Sequence, residues 1–501
     1  MSIFEMLMHG FSVSLSPGIM LAAFVGVIIG TMTGVLPGIG PVGATALLLP
    51  LSYGMDPLPA LIMFAGIYFG SMYGGSTTAI LVNVPGESAS VVTCLDGYAM
   101  AKKGRGGAAL SIAAIGSFVA GTIGLIGLTL FAPVLAKVAL AFGPPEYFAV
   151  AFLGLIILSN LTGTSMIRSA LMVLVGIMLG TIGQDPLAGI NRFTFNVNEL
   201  QRGIDFAILA MGVYGLGEVL SSISERKRKV IMEKVRFREL YPNRQELKRS
   251  IAPIFRGGIL GFLTGLIPGP SSVISSFSSY AMEKKISKHP EEFGNGAIEG
   301  VAGPESANNA ASSATMIPLL SLGIPFSATS ALLLSGFLIH GITPGPTLIN
   351  QHPDLFWGLI ASMYIANMLL LIINLPLVGI FASVLRTPIH ILMPIIAIIT
   401  LTGAYAVNNS IFDLGLLLFF GVLGVFMKIA GFEMAPLVIG IVLGPIMEPG
   451  LIQGLIVSNG SILALFTRPL SGTLLGIAVL IIVYKIVNWA ILKSKNRVKE
   501  I

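Results

Sequence analysis

The segment GVIIGTMTGVLPG at residues 26–38 recurs as GGILGFLTGLIPG at residues 257–269, with seven identical positions. A weaker match follows each copy, at residues 85–98 and 325–337. Self-similarity within one chain indicates a duplication. The sequence therefore predicts two related halves, and both copies are apolar segments that end at a Pro-Gly pair.

The composition places this chain in a membrane. Hydrophobic residues make up 54% of it and charged residues only 10%, against roughly 25% charged in soluble domains. So much apolar surface has to face lipid, and helices are the structures that span a bilayer with every backbone group satisfied. We predict an all-α polytopic membrane protein, and we assign the net charge of +6 to loops rather than to nucleic-acid binding.

Basic residues cluster in a few connections, which we expect to be cytoplasmic. These connections contain Lys102, Lys103 and Arg105; eleven Lys and Arg residues between 226 and 256; Lys284, Lys285 and Lys288; and the tail at 493–499. The matching connections of the other half, at 50–57 and 340–353, contain no Lys or Arg. The halves are therefore predicted to be inverted-topology repeats, with the amino terminus outside and the carboxyl terminus in the cytoplasm.

Two re-entrant hairpins follow from this orientation. Arg256 and Lys284 both look cytoplasmic, yet they bracket one apolar stretch that is broken at residues 268–270. Its counterpart at residues 17–52 would enter from outside, with its tip at 37–41. The alternative is one kinked helix in each half, because Pro and Gly are common in membrane helices.

We predict about 11 crossings besides the two hairpins, of which nine are apolar and two are polar. Spans are expected at 108–135, 146–160, 166–183, 203–222, 356–385, 388–403, 411–427, 434–450 and 470–488. The predicted organisation is a first membrane repeat at 1–222, a basic cytoplasmic connector at 223–256, a second repeat at 257–450, and a last span and tail at 451–501.

Each half also has one unusually polar crossing, at residues 73–88 and 303–325. Glycine allows a helix to unwind there, and freed carbonyls with hydroxyl and amide groups can replace the water shell of a cation. We predict interrupted helices with coupling-ion contacts at Ser76, Thr77, Thr78, Asn83, Glu87, Glu305, Ser312 and Ser313. The alternative is close helix packing by small residues, which fits Gly121, Gly124 and Gly127 well.

Glu87 and Glu305 are the ionisable residues of these crossings. An intramembrane carboxylate is costly, so each is a candidate proton carrier or cation ligand. For Glu87, an equal alternative is a helix start at the water interface, where a carboxylate complements the helix dipole.

The hairpin tips are the candidate anion site, since helix N-termini present free N–H groups and no Lys or Arg lies at that depth. The predicted substrate contacts are Pro37, Gly38, Gly40, Pro268, Gly269, Ser271, Ser272, Asn308 and Asn309. We expect a positive φ at Gly38 and Gly269, in tight turns after proline. Duplicated, broken apolar segments of this kind are typical of secondary transporters.

Six motifs resemble the large membrane subunit of the tripartite tricarboxylate transporter family, TctA. They are GVLPGIGP at 34–41, YGGSTTAILVNVPGE at 73–87, GPESANNAA at 303–311, LGIP at 322–325, HGITPGP at 340–346 and GFEMAPLVIGIVLGPIME at 431–448. The resemblance covers the whole chain. It implies a permease of the inner membrane that imports carboxylates such as citrate, driven by a Na⁺ or H⁺ gradient. It also implies a small TctB-like membrane subunit and an extracytoplasmic TctC-like solute-binding protein as partners.

Two rival functions use other features of the sequence. A cation-coupled antiporter, or another anion transporter without a binding protein, would need the same hydroxyl and amide groups. An intramembrane enzyme would need paired carboxylates, a His cluster or a Ser/Lys dyad in the apolar segments, and the sequence offers none. With Cys94 as its one cysteine and no ligand spacing among its five histidines, the chain is expected to hold no cofactor and no metal except Na⁺.

Overall fold

A computed structural model describes residues 2–36, 39–161, 166–185, 187–224, 241–384 and 389–499. The described residues are mostly helical, as expected of a chain that satisfies its backbone groups within each segment.

The first half contains ten helices among the described residues. They are α1 Ile3–Ser14, α2 Pro17–Gly34, α3 Gly40–Leu48, α4 Pro57–Val82, α5 Val91–Lys102, α6 Gly106–Ala139, α7 Pro144–Leu161, α8 Met166–Gly180, α9 Phe206–Ala210 and α10 Gly217–Ser224. A π-helical turn, Met211–Leu216, joins α9 to α10. Short 3₁₀ turns lie at Leu49–Ser52, Ser88–Ser90 and Asn198–Arg202, and two-residue strands β1 (Gly183–Gln184) and β2 (Asn191–Arg192) pair antiparallel.

The second half contains twelve helices among the described residues. They are α11 Arg244–Gly265, α12 Ser271–Ile286, α13 Glu299–Ala314, α14 Met316–Leu322, α15 Ala328–Ile339, α16 Leu348–Gln351, α17 Pro353–Val384, α18 Ile389–Asn408, α19 Ile411–Ala430, α20 Met434–Val457, α21 Leu463–Thr467 and α22 Pro469–Lys499. A 3₁₀ turn at Pro290–Glu292 precedes α13.

Six described helices are long and apolar enough to cross a membrane. They are Pro17–Gly34, Pro57–Val82, Gly106–Ala139, Pro353–Leu377, Ile411–Ala430 and Met434–Val457. Seven further apolar helices or helical stretches are shorter. The chain is therefore an all-α membrane protein.

The helix α11 begins at Arg244, inside the connector predicted at 223–256, and residues 225–240 of that connector lie outside the described part. Asn243 caps α11, because its side chain accepts the N–H of Glu246 and the Glu246 carboxylate accepts the N–H of Asn243. The last basic residues of the connector thus belong to a helix that continues into the repeated segment.

The contacts group the chain into two compact units. One comprises Met1–Leu140 with Asp205–Ala430, and the other comprises Ala141–Ile204 with Gly431–Ile501. The boundaries predicted at 222, 256 and 450 follow the sequence repeat instead, and they stay a prediction.

In the first unit, α2 lies directly against α4. A Cβ atom on any of three α2 glycines would be 2.2–2.4 Å from an α4 carbonyl oxygen, so only glycine permits this approach. The pairs are Gly26 with Met63, Gly30 with Ile67 and Gly34 with Ser71.

The second copy of the repeated segment packs in the same way. A Cβ atom on three α11 glycines would be 2.1–2.5 Å from a carbonyl oxygen of α13. The pairs are Gly257 with Gly303, Gly261 with Ala307 and Gly265 with Ala311. The three glycines of α11 are those that the repeat aligns with the three of α2, so one physical requirement explains these identities in both copies.

Asp96 of α5 fixes the loop that leads into α13. Its buried carboxylate accepts the N–H groups of Gly294, Gly296 and Ala297 at 2.7–2.8 Å, and the Tyr280 hydroxyl at 2.9 Å. At the same end, Arg256 of α11 pairs with the buried Glu283 of α12 at 2.5 Å. These contacts hold α5, α11, α12 and the start of α13 together.

The second unit consists of α7, α8 and α20–α22 with the β1–β2 hairpin. The helices α8 and α20 meet at glycines, since a Cβ atom on Gly176 would be 2.2 Å from the carbonyl oxygen of Leu437. Arg192 of β2 pairs with Glu448 of α20 at 2.5 Å, and Arg468 pairs with the buried Glu146 of α7 at 2.9 Å. These ion pairs fasten the connecting loops to the helices.

The glycine contacts predict that single methyl groups destabilise the fold. In α2, Gly30→Ala forces a Cβ against a backbone carbonyl, and overpacking of this kind costs about 1–3 kcal/mol. The matched control is Gly18→Ala in the same helix, where a Cβ meets nothing within 4 Å. We expect purified Gly30→Ala and Gly261→Ala to have a lower Tm than the wild type. The Tm of Gly18→Ala should not fall. Equal Tm values for all three variants would contradict the packing role.

Candidate functional site

The first parts of both polar segments lie on uninterrupted helices. Tyr73 to Thr78 belong to α4, and Glu305 to Ser313 belong to α13. The sequence led us to expect unwinding at the glycines of the first segment, but a Cβ on Gly74 would be 2.4 Å from the carbonyl oxygen of Thr31. These glycines serve helix packing, and the helix breaks come later.

The breaks follow left-handed residues at the ends of α4 and α14. Asn83 has φ +56° and Gly323 has φ +70°. Irregular backbone runs from each to the next helical turn, at residues 83–87 and 323–327. Asn83 is itself exposed and is the least enclosed of the predicted ion contacts.

The two polar segments touch through their carboxylates. Glu87 Oε1 accepts a hydrogen bond of 2.7 Å from Asn308 Nδ2. Glu305 Oε2 accepts one of 2.5 Å from the Ser76 hydroxyl, and Glu305 Oε1 accepts another from the Thr93 hydroxyl. Four predicted residues of the two halves, with Thr93, thus form one polar cluster, in which Glu87 is half-buried and the other members are buried.

This cluster has unbalanced charge and an unsatisfied atom. Within the described ranges, no Lys, Arg or His forms an ion pair with Glu87 or Glu305. Asn308 Oδ1 is buried and has no hydrogen-bond partner. The buried carboxylate of Glu305 without a cation and a buried amide oxygen without a donor are both costly, which is typical of a site that takes up a bound group.

The second hairpin tip is tied to the second helix break. Gly269 has φ +132°, as the sequence predicts, and its N–H donates to the carbonyl oxygen of Phe326 at 2.8 Å. The N–H of Ser271 donates to the carbonyl oxygen of Gly269 at 2.8 Å. The Ser272 hydroxyl lies 3.2 Å from the Ser312 hydroxyl. Two of the N–H groups assigned to substrate are thus bonded to carbonyls in this structure.

The first tip is described only in part, since Pro37 and Gly38 lie outside the described residues. Gly40, with φ +57°, opens α3 beside the first break. A Cβ on Gly40 would be 3.7 Å from the carbonyl oxygen of Gly86 and 4.0 Å from Glu87 Cβ. In each half, the start of the second hairpin helix therefore lies next to the broken crossing.

Several predicted residues bond elsewhere. The hydroxyls of Thr78 and Ser313 donate to carbonyls of their own helices. Asn309 donates to the Ser117 hydroxyl at 2.7 Å and to the carbonyl of Glu305 at 3.0 Å. Pro268 is half-buried in the bend before Gly269.

A cavity of about 20 Å³ lies between α4, α6 and α17, next to the cluster. Its polar lining is Tyr73, Ser76, Thr77, Ser117 and Asn374. The sequence prediction missed Thr93, Ser117 and Asn374. For Ser117 and Asn374 the available signal was one polar residue within an apolar run, and nothing in the sequence indicates that the two face each other.

Comparison with known proteins identifies the family. The sequence model of the tripartite tricarboxylate transporter TctA family matches residues 20–439, so the chain belongs to this family. No solved structure matches.

Two relatives come from Agrobacterium vitis. One, "Uncharacterized 52.8 kDa protein in TAR-I ttuC' 3'region", is 47% identical over 483 residues, which cover 96% of each chain. The other, "Uncharacterized protein in TAR-II ttuC' 3'region", is 48% identical over 223 residues, which cover 44% of this chain and 92% of the relative.

The contact between Glu87 and Asn308 can be tested by exchanging their charges. Asn308→Asp places two carboxylates in contact, so we expect a lower Tm. Adding Glu87→Gln restores a carboxylate–amide pair and should recover part of the loss, with a coupling energy of about 0.5–3 kcal/mol.

The control is Asn309→Asp, because Asn309 bonds Ser117 instead of Glu87. Glu87→Gln should not rescue it. Equal recovery in both backgrounds, or in neither, would show that the contact carries no specific coupling.

Proposed function

We propose that this chain is the permease subunit of a secondary transporter that imports di- or tricarboxylates such as citrate, coupled to a Na⁺ or H⁺ gradient. The observation that carries the proposal is the polar cluster of Ser76, Glu87, Glu305 and Asn308. It joins the polar crossings of the two halves and contains two carboxylates that have no basic partner among the residues that the structure describes. Membership of the TctA family supports the transport class.

The proposed architecture is a pair of inverted repeats with re-entrant hairpins and about 11 crossings, in the inner membrane. The end of α2 at Gly34 with the start of α3 at Gly40, and the break between α11 and α12 at residues 266–270, are consistent with hairpins. The packing supports two halves that exchange equivalent contacts, because α6 of the first half contacts α13 of the second, while α17 of the second contacts α4 of the first. The inversion itself rests on the distribution of basic residues. The basic loops assign the carboxyl terminus to the cytoplasm and the amino terminus to the outside.

The substrate is proposed to bind between the hairpin tips and the helix breaks, at the residues predicted from the sequence. Because the N–H groups of Gly269 and Ser271 are already bonded, the tip has to open for a carboxylate to use them. Glu87 and Glu305 would repel that carboxylate unless they are neutralised. Binding of a cation or proton before the substrate would remove this repulsion. Transport of the substrate would then be coupled to transport of the cation or proton.

A cation-coupled antiporter, or an anion transporter that needs no binding protein, is the second candidate. The acidic side chains of Glu87 and Glu305 favour transport of a cation. Among the described residues of the cluster, no basic side chain is present to bind an anion. The TctA family belongs to a tripartite system. We therefore propose a TctB-like small subunit and a TctC-like binding protein as partners, and dependence on that binding protein separates the candidates.

The transport role can be tested by uptake of labelled citrate into cells that express the chain with a TctB-like subunit and a TctC-like binding protein. Asn308→Leu removes the donor to Glu87, and we expect uptake to fall at least tenfold, equivalent to about 1.4 kcal/mol. The control is Asn350→Leu, because Asn350 is an exposed residue of α16. Loss within about twofold, roughly 0.4 kcal/mol, would remove Asn308 from the transport site.

The proposed topology predicts opposite labelling of two loops. In a Cys94→Ala background, Met55→Cys should react with an impermeant thiol reagent from outside, and Lys288→Cys only from the cytoplasmic side. The readout is labelling of intact and opened membranes. Reaction of both positions from one side would rule out the inverted repeat and leave the family assignment untouched.

A further inference from the structure

The cavity between α4, α6 and α17 is small and lined by oxygen atoms. At about 20 Å³ it has room for one particle the size of a water molecule. Hydroxyls come from Tyr73, Ser76, Thr77 and Ser117, and an amide comes from Asn374. The rest of the lining is aliphatic, from Leu110, Ala113, Ala114 and Leu375.

Most of the donor hydrogens at this cavity are already used elsewhere. Ser76 donates to Glu305 at 2.5 Å, Tyr73 to Asn367 at 3.4 Å and Thr77 to the carbonyl of Tyr73 at 3.5 Å. Asn374 Nδ2 donates to the carbonyl of Leu370 at 3.0 Å. These groups retain oxygen lone pairs and one N–H of Asn374, and the cavity is therefore richer in acceptors than in donors.

Ser117 extends this acceptor pattern to the opposite wall. Its hydroxyl oxygen accepts the amide hydrogen of Asn309 at 2.7 Å and keeps a second lone pair. A wall of acceptors suits a cation and disfavours an anion.

The charge that balances such a cation lies one hydrogen bond away. Glu305 is 1% exposed and is bonded to Ser76, which lines the cavity. Divalent cations usually take carboxylate oxygens directly, whereas the oxygens here come from hydroxyl and amide groups. A single positive charge beside one buried carboxylate gives a neutral site.

We propose that this cavity binds one sodium ion, with Tyr73, Ser76, Thr77, Ser117 and Asn374 as its oxygen-bearing lining and Glu305 as the balancing charge behind Ser76. The proposal rests on the proposed function, because it identifies the coupling cation of that transporter. It adds Tyr73, Ser117 and Asn374 to the ion contacts predicted from the sequence, and it assigns Glu305 a role through Ser76.

The test is the Tm of the purified full-length chain during titration with NaCl, with choline chloride holding the ionic strength constant. A ligand that binds only the folded state raises the Tm in a saturable way. We expect such a rise with Na⁺ and none with K⁺. Thr77→Val and Asn374→Leu, on different helices, should each increase the half-saturating Na⁺ concentration at least tenfold.

Thr31→Val is the matched control, because Thr31 is also buried, donates to the carbonyl four residues earlier and does not line the cavity. Its half-saturation should equal that of the wild type. A Tm independent of Na⁺ means that the cavity holds only water, and unchanged half-saturation in Thr77→Val and Asn374→Leu means that Na⁺ binds elsewhere. Either result overturns the proposal.

The binding assay does not depend on transport. If a proton gradient drives citrate uptake and the Tm does not depend on Na⁺, the proposed sodium site is wrong and the proposed transport function is supported. If the variants weaken Na⁺ binding but the wild type takes up no carboxylate, the sodium site stands and the proposed transport function fails.

Discussion

The structure depends on contact between helix backbones that only glycine permits. The helices α2 and α11 each have three glycines, one turn apart, that lie against carbonyl oxygens of α4 and α13, respectively. A Cβ atom at any of these glycines would be only 2.1–2.5 Å from such an oxygen. Association of helices in lipid relies on such close packing, since lipid tails are as apolar as leucine. Because α4 and α13 carry the polar segments, the same glycines that hold the fold also fix where Ser76, Glu305 and Asn308 lie.

Much of the fold could be predicted from the sequence, because apolar runs and basic loops mark helices directly. The spans expected at 411–427 and 434–450 correspond to α19 Ile411–Ala430 and α20 Met434–Val457. The contacts within the site were harder to predict from the sequence. That Glu305 would contact Ser76 and Thr93 depends on how the halves pack, which no local pattern encodes. Gly74 was expected to unwind its helix, whereas tertiary packing against Thr31 keeps α4 continuous.

The centre of the first unit combines acidic groups with acceptor oxygens, and basic side chains lie at its periphery. Arg256 and Arg249 pair with Glu283 and Glu299 near the ends of α11–α13. Within the described residues, the interior therefore has a negative balance that protein groups do not cancel. A bound cation or proton is the simplest source of the missing charge. In the proposed transporter, it would allow the acidic pair to lie beside the hairpin tip that we propose as the anion site.

The hydrogen bond from Gly269 N–H to Phe326 joins a hairpin tip to a helix break. A single bond of this type contributes about 1 kcal/mol, which corresponds to roughly a fivefold preference for the closed tip. Thermal motion alone then releases the tip in a substantial minority of molecules. If this tip binds the substrate, as we propose, an anion that binds only the open form loses a few fold in apparent affinity to this hydrogen bond.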